Sequence, residues 1–220
     1  MTQDEQKRRA AIAALDYITD GITLGVGTGS TVEHFIDALP RHAHRLSAVV
    51  SSSDRTTARL ESLGIEVKPF AEIDRIDLYV DGADEATKHL HLLKGGGGAL
   101  TREKVLAGAA RRFVCIIDSS KLVGTLGAFP LPIEVIPMAR SFVARQLVNA
   151  GGEPIWRRDF VTDNGNVILD VHHLKIANPL EVETRFNQIP GIVTVGIFAH
   201  RGADVLLVGE KDGVRKIGIG

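Results

Sequence analysis

Apolar and polar positions in the first part of the chain predict strands that alternate with helices. Residues 4–18 place Ala11, Leu15 and Ile18 at helical spacing, with charged residues off that face. The elements predicted after this helix are strand 22–27, helix 30–39 with a Ser or Thr cap, strand 46–53, helix 54–64, strand 66–70, strand 76–81, helix 99–111 and strand 112–118. This order is typical of a Rossmann-like α/β fold, a mostly parallel sheet with helices on both faces.

The pattern changes after residues 129–132. The elements predicted beyond this point are strand 132–137, helix 139–152, strands 153–158 and 166–173 around a tight Asn164-Gly165 turn, helix 178–191 and strand 192–200. Their βαββαβ order predicts a smaller, ferredoxin-like α+β domain. The apolar strand 203–210 is expected to return to the first sheet. We therefore predict a Rossmann-like domain of residues 1–130 with 202–220, and a ferredoxin-like domain of residues 131–201.

Composition and charge narrow the range of partners. The 220 residues carry a formal net charge of −1, so no overall positive field attracts nucleic acid or an anionic membrane. The chain has one cysteine, Cys115, which lies in an apolar run and is expected to be buried in a strand. No stretch of about 18 apolar residues is present, and the first ten residues are polar. These features predict a cytoplasmic protein with no nucleic-acid or membrane partner.

Small, hydroxylic or charged residues follow the predicted strands of the first domain. The segments are GTGST, SSSD, DGAD, KGGGG and DSSK. Because open parallel sheets bind ligands beyond the carboxyl ends of their strands, we expect one site built from several of these loops.

The segment GVGTGST at 25–31 indicates phosphate binding. Amide N–H groups at a helix N-terminus bind phosphate, and Thr28, Ser30 and Thr31 add hydroxyl donors. A dinucleotide site is disfavoured because the third glycine of G-x-G-x-x-G comes one residue early, and no Gly-Lys-Ser/Thr sequence follows for a Walker motif. A tight turn with a helix cap remains the structural alternative.

The acidic and glycine-rich segments indicate proton chemistry. DGAD at 81–84 places two carboxylates three residues apart, although an exposed turn would have the same pattern. Glycines at 95–98 allow a close backbone approach and can present N–H groups to an oxyanion, and Lys94 adds a cation. Glu103 is either a general base or a surface residue that complements the helix dipole. Lys121 and Lys7 are further candidates for phosphate binding.

A metal site is not expected. The histidines of HLH at 89–91 have no Cys or carboxylate at a closing ligand spacing. His172 and His173 alternate along a predicted strand and would face opposite sides of the sheet.

The motifs together resemble ribose-5-phosphate isomerase, type A. The resemblance is collinear over nearly the whole chain and rests on long segments, which are GVGTGST, SSSD, YVDGADE, KGGGGALTREK, PLPIEVIPMA, VTDNGNVILDV, PGIVTVGIFA and RGADVLLVG. One departure is Gly98, where the family would have a small residue such as alanine.

The resemblance implies interconversion of ribose 5-phosphate and ribulose 5-phosphate through an enediol(ate), in the non-oxidative pentose phosphate pathway, without a cofactor or a metal. It implies that Glu103 is the base, that Asp81 assists ring opening, and that Lys94, oriented by Asp84, stabilises charge on the oxygens. The substrate-binding residues that it implies are Lys7, Thr28, Gly29, Ser30, Thr31, Asp81, Gly82, Ala83, Asp84, Lys94, Gly95, Gly96, Gly97 and Lys121. A homodimer is also implied, with a tetramer as the alternative.

Two other functions belong to different classes. A sugar-phosphate-sensing module of a transcriptional regulator would keep the phosphate loop, but it would need a DNA-binding element and would not need Glu103. A CoA-transferase-like enzyme would use a glutamate near a glycine loop as a nucleophile, but it would leave the set of Asp81, Asp84 and Lys94 without a role.

Overall fold

A computed structural model describes residues 2–218 of the chain, which form two compact units. Within that range, the first unit contains residues 2–83, 102–122 and 203–218, and the second contains residues 84–101 and 123–202. The predicted first domain included 84–101 and 123–130, which belong to the second unit by their contacts. Residues 1, 219 and 220 of the predicted domain lie outside the described residues.

The α-helices and β-strands are named in chain order. The helices are α1 Gln3–Ala14, α2 Ser30–Ala38, α3 Asp54–Ser62, α4 Leu100–Ala109, α5 Arg140–Asn149 and α6 Pro179–Asn187. The strands are β1 Ile22–Val26, β2 Leu46–Ser51, β3 Ile76–Asp81, β4 Glu85–Ala86, β5 Leu92–Leu93, β6 Ala110–Asp118, β7 Leu131–Val135, β8 Glu153–Trp156, β9 Val167–His172, β10 Ile192–Val195, β11 Ile197–Phe198, β12 Val205–Glu210 and β13 Gly213–Gly218.

The first unit is built on a six-stranded sheet with the order β13-β12-β6-β3-β1-β2. All pairs are parallel except β12 with β13, which form an antiparallel edge. The strand at 205–210 therefore returns to the first sheet, as predicted, and pairs with β6. Apolar residues of α1, α2 and the strands form one core, and Cys115 is fully buried in β6. The mostly parallel α/β fold is confirmed.

The second unit contains a four-stranded antiparallel sheet with the order β10-β7-β9-β8. Numbered within the unit, this order is 4-1-3-2 for a βαββαβ chain, which is consistent with the predicted ferredoxin-like arrangement. A second core lies between this sheet and helices α5 and α6. The short strands β4, β5 and β11 form a separate three-stranded sheet in the same unit.

Some predicted helices and strands differ from the structure in kind or extent. Residues 66–70 form no strand, because Pro69 has no N–H to donate to a ladder. The first helix ends as an α-helix at Ala14, before the predicted residue 18. The strand predicted at 192–200 is two strands divided at Gly196, where a Cβ would overlap the carbonyl oxygen of Lys94.

The edge strand β13 was not predicted. Its sequence, GVRKIG, has weak apolar alternation, and its pairing depends on β12, to which it is joined by a short turn. Between residues 2 and 218, no helix has the length and apolar character needed to cross a membrane.

Candidate active site

The loops after β1 and β3 are joined by the carboxylate of Asp81. Asp81 is the last residue of β3 and is fully buried. Its Oδ1 atom accepts hydrogen bonds from the backbone N–H of Thr28, at 3.1 Å, and of Gly82, at 2.7 Å. Gly27 is required beside it, because a Cβ at that position would overlap the carboxyl group. The first turn of α3, which follows β2, joins the same region, since the hydroxyl of Thr56 donates to the carbonyl oxygen of Gly27 at 2.9 Å.

Tyr79 brings a phenol to the same carboxylate. Its hydroxyl donates to Oδ2 of Asp81, and its side chain is completely buried. Burial raises the pKa of Tyr79 well above its usual range, and the negative charges of Asp81 and Glu103 raise it further. Glu103 lies in the first turn of α4 and is only 3% exposed. The first unit therefore places two buried carboxyl groups close to one neutral tyrosine.

The N-terminus of α2 is capped by Gly29, not by the predicted Ser or Thr. Gly29 has φ of 111°, in a region that favours glycine, and it has no side chain to bind the first amides of the helix. Ser30 is exposed within the first turn, and Thr31 is buried behind it. The Nζ atom of Lys7 donates to the hydroxyl of Ser30 at 3.0 Å, so α1 brings a cation to this helix end. The arrangement suits an anion.

The loop after β6 is fixed by two glutamines of α1. The Oε1 atom of Gln6 accepts from the backbone N–H and the hydroxyl of Ser119, at 3.3 and 2.8 Å. The side chain of Gln3 donates to Asp118 at 3.3 Å. Lys121 follows in this loop with a half-buried side chain. Lys7 lies on α1, and Lys121 lies in a loop that α1 contacts directly. Helix α1 therefore links the two predicted phosphate-binding lysines.

The second unit contains the remaining predicted residues. KGGGG follows β5, and not a strand of the six-stranded sheet as the sequence suggested. The carboxylate of Asp84 accepts from the N–H of Gly96 at 2.8 Å, and a Cβ on Gly96 would lie 2.6 Å from that carboxylate. Lys94 is 3% exposed, with its Nζ atom 5.6 Å from the ring centroid of Phe198. Asp84 and the glycine loop are therefore in direct contact.

The glycine run makes a turn with exposed central residues. The N–H of Gly98 donates to the carbonyl oxygen of Gly95 at 2.9 Å, and both residues have positive φ, of 84° and 110°. Gly96 and Gly97 are exposed at the tip. A Cβ on Gly98 would overlap the ring of Phe160. The fourth glycine, which departs from the expected alanine, therefore fits this chain because Phe160 occupies the adjacent space.

Some residues near Asp81 in the first unit, and near the glycine loop in the second unit, were not identified from the sequence. Tyr79 could have been found, because it lies two positions before Asp81 and so shares its face of β3. Arg157 binds carbonyl oxygens of the glycine loop, and Glu134 is a buried hydrogen-bond acceptor in the second unit. Neither stands in a motif that indicates such contacts, so no sequence signal could have assigned them.

A cavity adjoins the loop after β1, and the described residues hold no cluster of metal ligands. A cavity of about 480 Å³ borders Thr28 and Gly29, but Glu33 and Arg55, which form an ion pair, line its other side. No group of three or more His, Cys, Asp or Glu side chains within residues 2–218 could hold a metal ion.

Comparison with known proteins identifies the family. The model of the family "Ribose 5-phosphate isomerase A (phosphoriboisomerase A)" matches residues 48–213. Ribose 5 phosphate isomerase A from Neisseria gonorrhoeae is 43% identical, with a TM-score of 0.96 over 99% of this chain and 97% of that one. The enzyme from Methanocaldococcus jannaschii is 37% identical, with a TM-score of 0.93 over 99% and 100%. A D-ribose-5-phosphate isomerase in complex with phospho-erythronic acid is 37% identical, with a TM-score of 0.95 over the full length of both chains. The chain belongs to the ribose 5-phosphate isomerase A family.

Proposed function

We propose that the chain interconverts ribose 5-phosphate and ribulose 5-phosphate, with Glu103 as the base that moves the proton. The observation that carries this proposal is the buried carboxylate of Glu103, held in the first turn of a helix and close enough to Tyr79 to raise the pKa of that phenol. Removal of a proton next to a carbonyl group needs a positioned base, which contributes about 10²–10⁴-fold to the rate. A surface residue that only complements a helix dipole would be exposed.

The proton transfer follows from the chemistry of an aldose. In the open-chain aldehyde, the carboxylate of Glu103 accepts the proton from C2, and the electron pair moves to the carbonyl oxygen at C1 to give an enediolate. Return of the proton to C1, with transfer of the hydroxyl proton from O2 to O1, gives the ketose. Asp81, which is fixed by the N–H groups of Thr28 and Gly82, is assigned to opening of the furanose ring.

Charge on the enediolate oxygens is assigned to Lys94 and the amides of the glycine loop. Preorganised donors of this kind stabilise developing charge without reorganisation, at about 3 kcal/mol per donor. The contact between Asp84 and the N–H of Gly96 supports a role for Asp84 in fixing this loop. Burial of Lys94 supports a functional cation, since a lysine without a specific role is usually exposed.

The phosphate is assigned to the N-terminus of α2 and to the lysines near it. The first amides of this helix have no side-chain cap, and Lys7 lies 3.0 Å from the hydroxyl of Ser30. Thr28, Thr31 and Lys121 complete the proposed set. Phospho-erythronic acid, the ligand of one relative, is expected to bind here as well, because it combines a phosphate with a carboxylate that resembles the two oxygens of the enediolate.

The function is tested by following ketose formation from ribose 5-phosphate in a buffer that contains a chelator. In ²H₂O, the proposed mechanism predicts turnover with deuterium incorporated at C1 of the ribulose 5-phosphate formed. Binding of the sugar phosphate without turnover would favour the sensor module, and trapping of a glutamyl-CoA adduct would favour the CoA-transferase-like enzyme. Retention of activity in the chelator would support a reaction that needs no metal or cofactor.

A homodimer in the cytoplasm is proposed for the active protein, with a tetramer as the alternative. The second unit exposes large apolar side chains, including 91% of Met138, 40% of Phe142 and 37% of Trp156, and exposed apolar groups often mark an interface. Light scattering coupled to size-exclusion chromatography measures the mass directly. A mass of one chain at micromolar concentration would contradict the dimer.

A further inference from the structure

Arg157 contacts the glycine loop from the side of its carbonyl groups. Its Nη1 atom donates to the carbonyl oxygens of Gly95, at 3.3 Å, and Gly96, at 3.1 Å, and its Nη2 atom donates to Gly95 at 3.3 Å. One planar guanidinium group therefore spans two consecutive peptide units of a loop whose glycines have no side chains of their own.

Neighbouring side chains hold the guanidinium group in place. Asp170 on β9 accepts from Nε at 2.8 Å and from Nη2 at 2.5 Å, which is a bidentate pair. The side chains of Arg157 and Asp170 are only 20% and 19% exposed. The ring of Phe160 lies 5.3 Å from the guanidinium carbon and also contacts the loop at Gly98. The pair is thus a partly buried support, and not a solvated surface contact.

Because the peptide bond is planar, the contacts to the carbonyl groups also fix the directions of the N–H groups in the same peptide units. In a trans peptide the C=O and the following N–H point in opposite directions, and the described residues contain no cis peptide. The carbonyl of Gly95 points to Arg157, and the N–H of Gly96 points the other way, to Asp84. The carbonyl of Gly96 also binds Arg157, so the N–H of Gly97 is directed away from the guanidinium group as well.

We propose that Arg157 is a positioning residue that aims the N–H of Gly97 at an oxygen of the substrate. Arg157 itself does not touch the substrate in this account; it fixes the peptide planes of the glycine loop, and Asp170 fixes Arg157. The inference rests on the proposed isomerase function, because it assigns the donor to the enediolate oxygens. Phosphate binding is assigned to other residues and does not depend on Arg157.

The test compares Arg157→Ala and Arg157→Lys with a matched control, Arg158→Ala. Arg158 is the next residue, is exposed, and packs on Trp156 at 5.6 Å. We expect kcat for ribose 5-phosphate to fall about 100-fold in Arg157→Ala, the scale reported for loss of one oxyanion donor or a displacement of about 1 Å. Arg157→Lys is expected to recover only part of this loss, since one ammonium group cannot span two carbonyls in the plane. Arg158→Ala should remain within about twofold of wild type, as surface changes usually do.

Two further readouts separate positioning from a general structural role. Added guanidinium ion, at millimolar concentrations, should restore part of the kcat of Arg157→Ala, whereas tetramethylammonium should not. Calorimetry should show weaker binding of phospho-erythronic acid to Arg157→Ala, but unchanged binding of inorganic phosphate. The binding comparison needs no turnover, so it tests Arg157 even if wild type fails to isomerise ribose 5-phosphate, which would refute the proposed function by itself.

Three outcomes would overturn the proposal. Arg157→Ala could retain kcat within about threefold of wild type while folded. It could lose melting temperature and kcat together with no rescue by guanidinium. It could also lose affinity for phosphate and phospho-erythronic acid equally. That result would show that Arg157 supports the fold in general and does not specifically orient the Gly97 amide.

Discussion

At the scale of single residues, Asp81 shows how the end of a strand holds a carboxyl group in a fixed position. Two backbone N–H groups and the hydroxyl of Tyr79 donate to it, although the side chain is fully buried. These donors satisfy the oxygens of a side chain that would be costly to bury without hydrogen bonds. The side chain of Asp81 is therefore held as a fixed acceptor, with Tyr79 as one of its donors.

Tyr79→Phe tests this pairing. Removing the hydroxyl leaves the buried carboxylate of Asp81 short of one donor, so we expect a loss of about 1–3 kcal/mol in the free energy of unfolding at pH 8. The loss should shrink as pH rises above about 10, because unfolded wild type then ionises Tyr79 while the folded state, with its raised pKa, does not. Urea denaturation at several pH values, with Tyr17→Phe as the control for a less buried tyrosine, measures both effects. A constant difference from pH 8 to pH 11 would contradict the account.

Gly98→Ala tests the steric pairing of the glycine loop with Phe160. The substitution forces a side chain into positive φ and into overlap with the ring, so we expect a loss of about 1–3 kcal/mol in unfolding free energy. The double variant Gly98→Ala with Phe160→Val should recover part of that loss, because the smaller side chain leaves space. Thermal melts of the two single variants and the double variant give the coupling energy. Additive losses would show that the two positions do not interact.

Single residues also show the limits of prediction from sequence. Asp81 was identified because it stands at the end of a predicted strand of a parallel sheet, and the structure places it at the last position of β3. Its contact with the N–H of Thr28 follows from strand order. Arg157 was not identified, because about sixty residues separate it from Gly96 and only the packing of the second unit brings them together. Motif reading finds residues that are close in sequence and misses supports of this kind.

At the scale of elements, one buried carboxylate fixes the start of a helix and a distant turn. Glu134 of β7 is completely buried, and its Oε2 atom accepts from the hydroxyl of Thr101, in the first turn of α4, at 2.5 Å. Its Oε1 atom accepts from Thr162, Asn164 and Asn166, at 2.9, 3.1 and 2.8 Å. These four donors satisfy both oxygens of a carboxyl group that would be costly to bury without hydrogen bonds. The Asn164-Gly165 turn predicted from sequence is present, and its hydrogen bonds to Glu134 hold it in place.

Glu134→Gln tests the network. An amide NH₂ replaces one acceptor oxygen and meets other donors, so we expect a loss of about 1–3 kcal/mol in unfolding free energy. Glu153→Gln is the matched control, because the side chain of Glu153 is exposed and should tolerate the change within about 0.5 kcal/mol. Chemical denaturation of both variants measures the difference. Equal stability of the two variants would contradict a structural role for the buried carboxyl group of Glu134.

The start of α2 shows why a local sequence pattern can predict a helix but not the residue that caps it. The prediction of a Ser or Thr cap on α2 was reasonable from the sequence, yet Gly29 takes that position with a positive φ. A hydroxyl cap would occupy the first amides of the helix, whereas a glycine leaves them for a ligand. The exception to the usual capping preference therefore lies at the proposed phosphate site, where function competes with local stability.

At the scale of the whole molecule, the chain leaves the first unit and later returns to it. The return of β12 to pair with β6 completes the six-stranded sheet, and Leu207 in β12 is 3% exposed in the core of the first unit. The return of this strand to the first sheet could be predicted because an apolar run at 203–210 needs a buried partner. The exact units were not, since residues 84–101 carry short strands whose partner, β11, lies about one hundred residues further along.

Leu207→Asp tests the dependence of the first unit on this return. A carboxylate placed in an apolar core costs several kcal/mol, so we expect the variant to unfold or aggregate when it is expressed. Val214→Asp in the edge strand β13 is the control, because Val214 is 36% exposed and can reach solvent. Circular dichroism and melting temperature compare the two proteins. A folded Leu207→Asp variant with near-normal melting temperature would contradict the assigned core.

Glu103→Gln tests the central claim most directly, since the base is the group on which the proposed isomerisation depends. Turnover of ribose 5-phosphate and its binding are measured on the same preparations, with Glu33→Gln, a half-exposed glutamate of the first unit, as the control. The account predicts that Glu103→Gln binds the sugar phosphate but loses about 10²–10⁴-fold in kcat, while Glu33→Gln resembles wild type. Near-normal turnover by Glu103→Gln would contradict it and place the base on another residue.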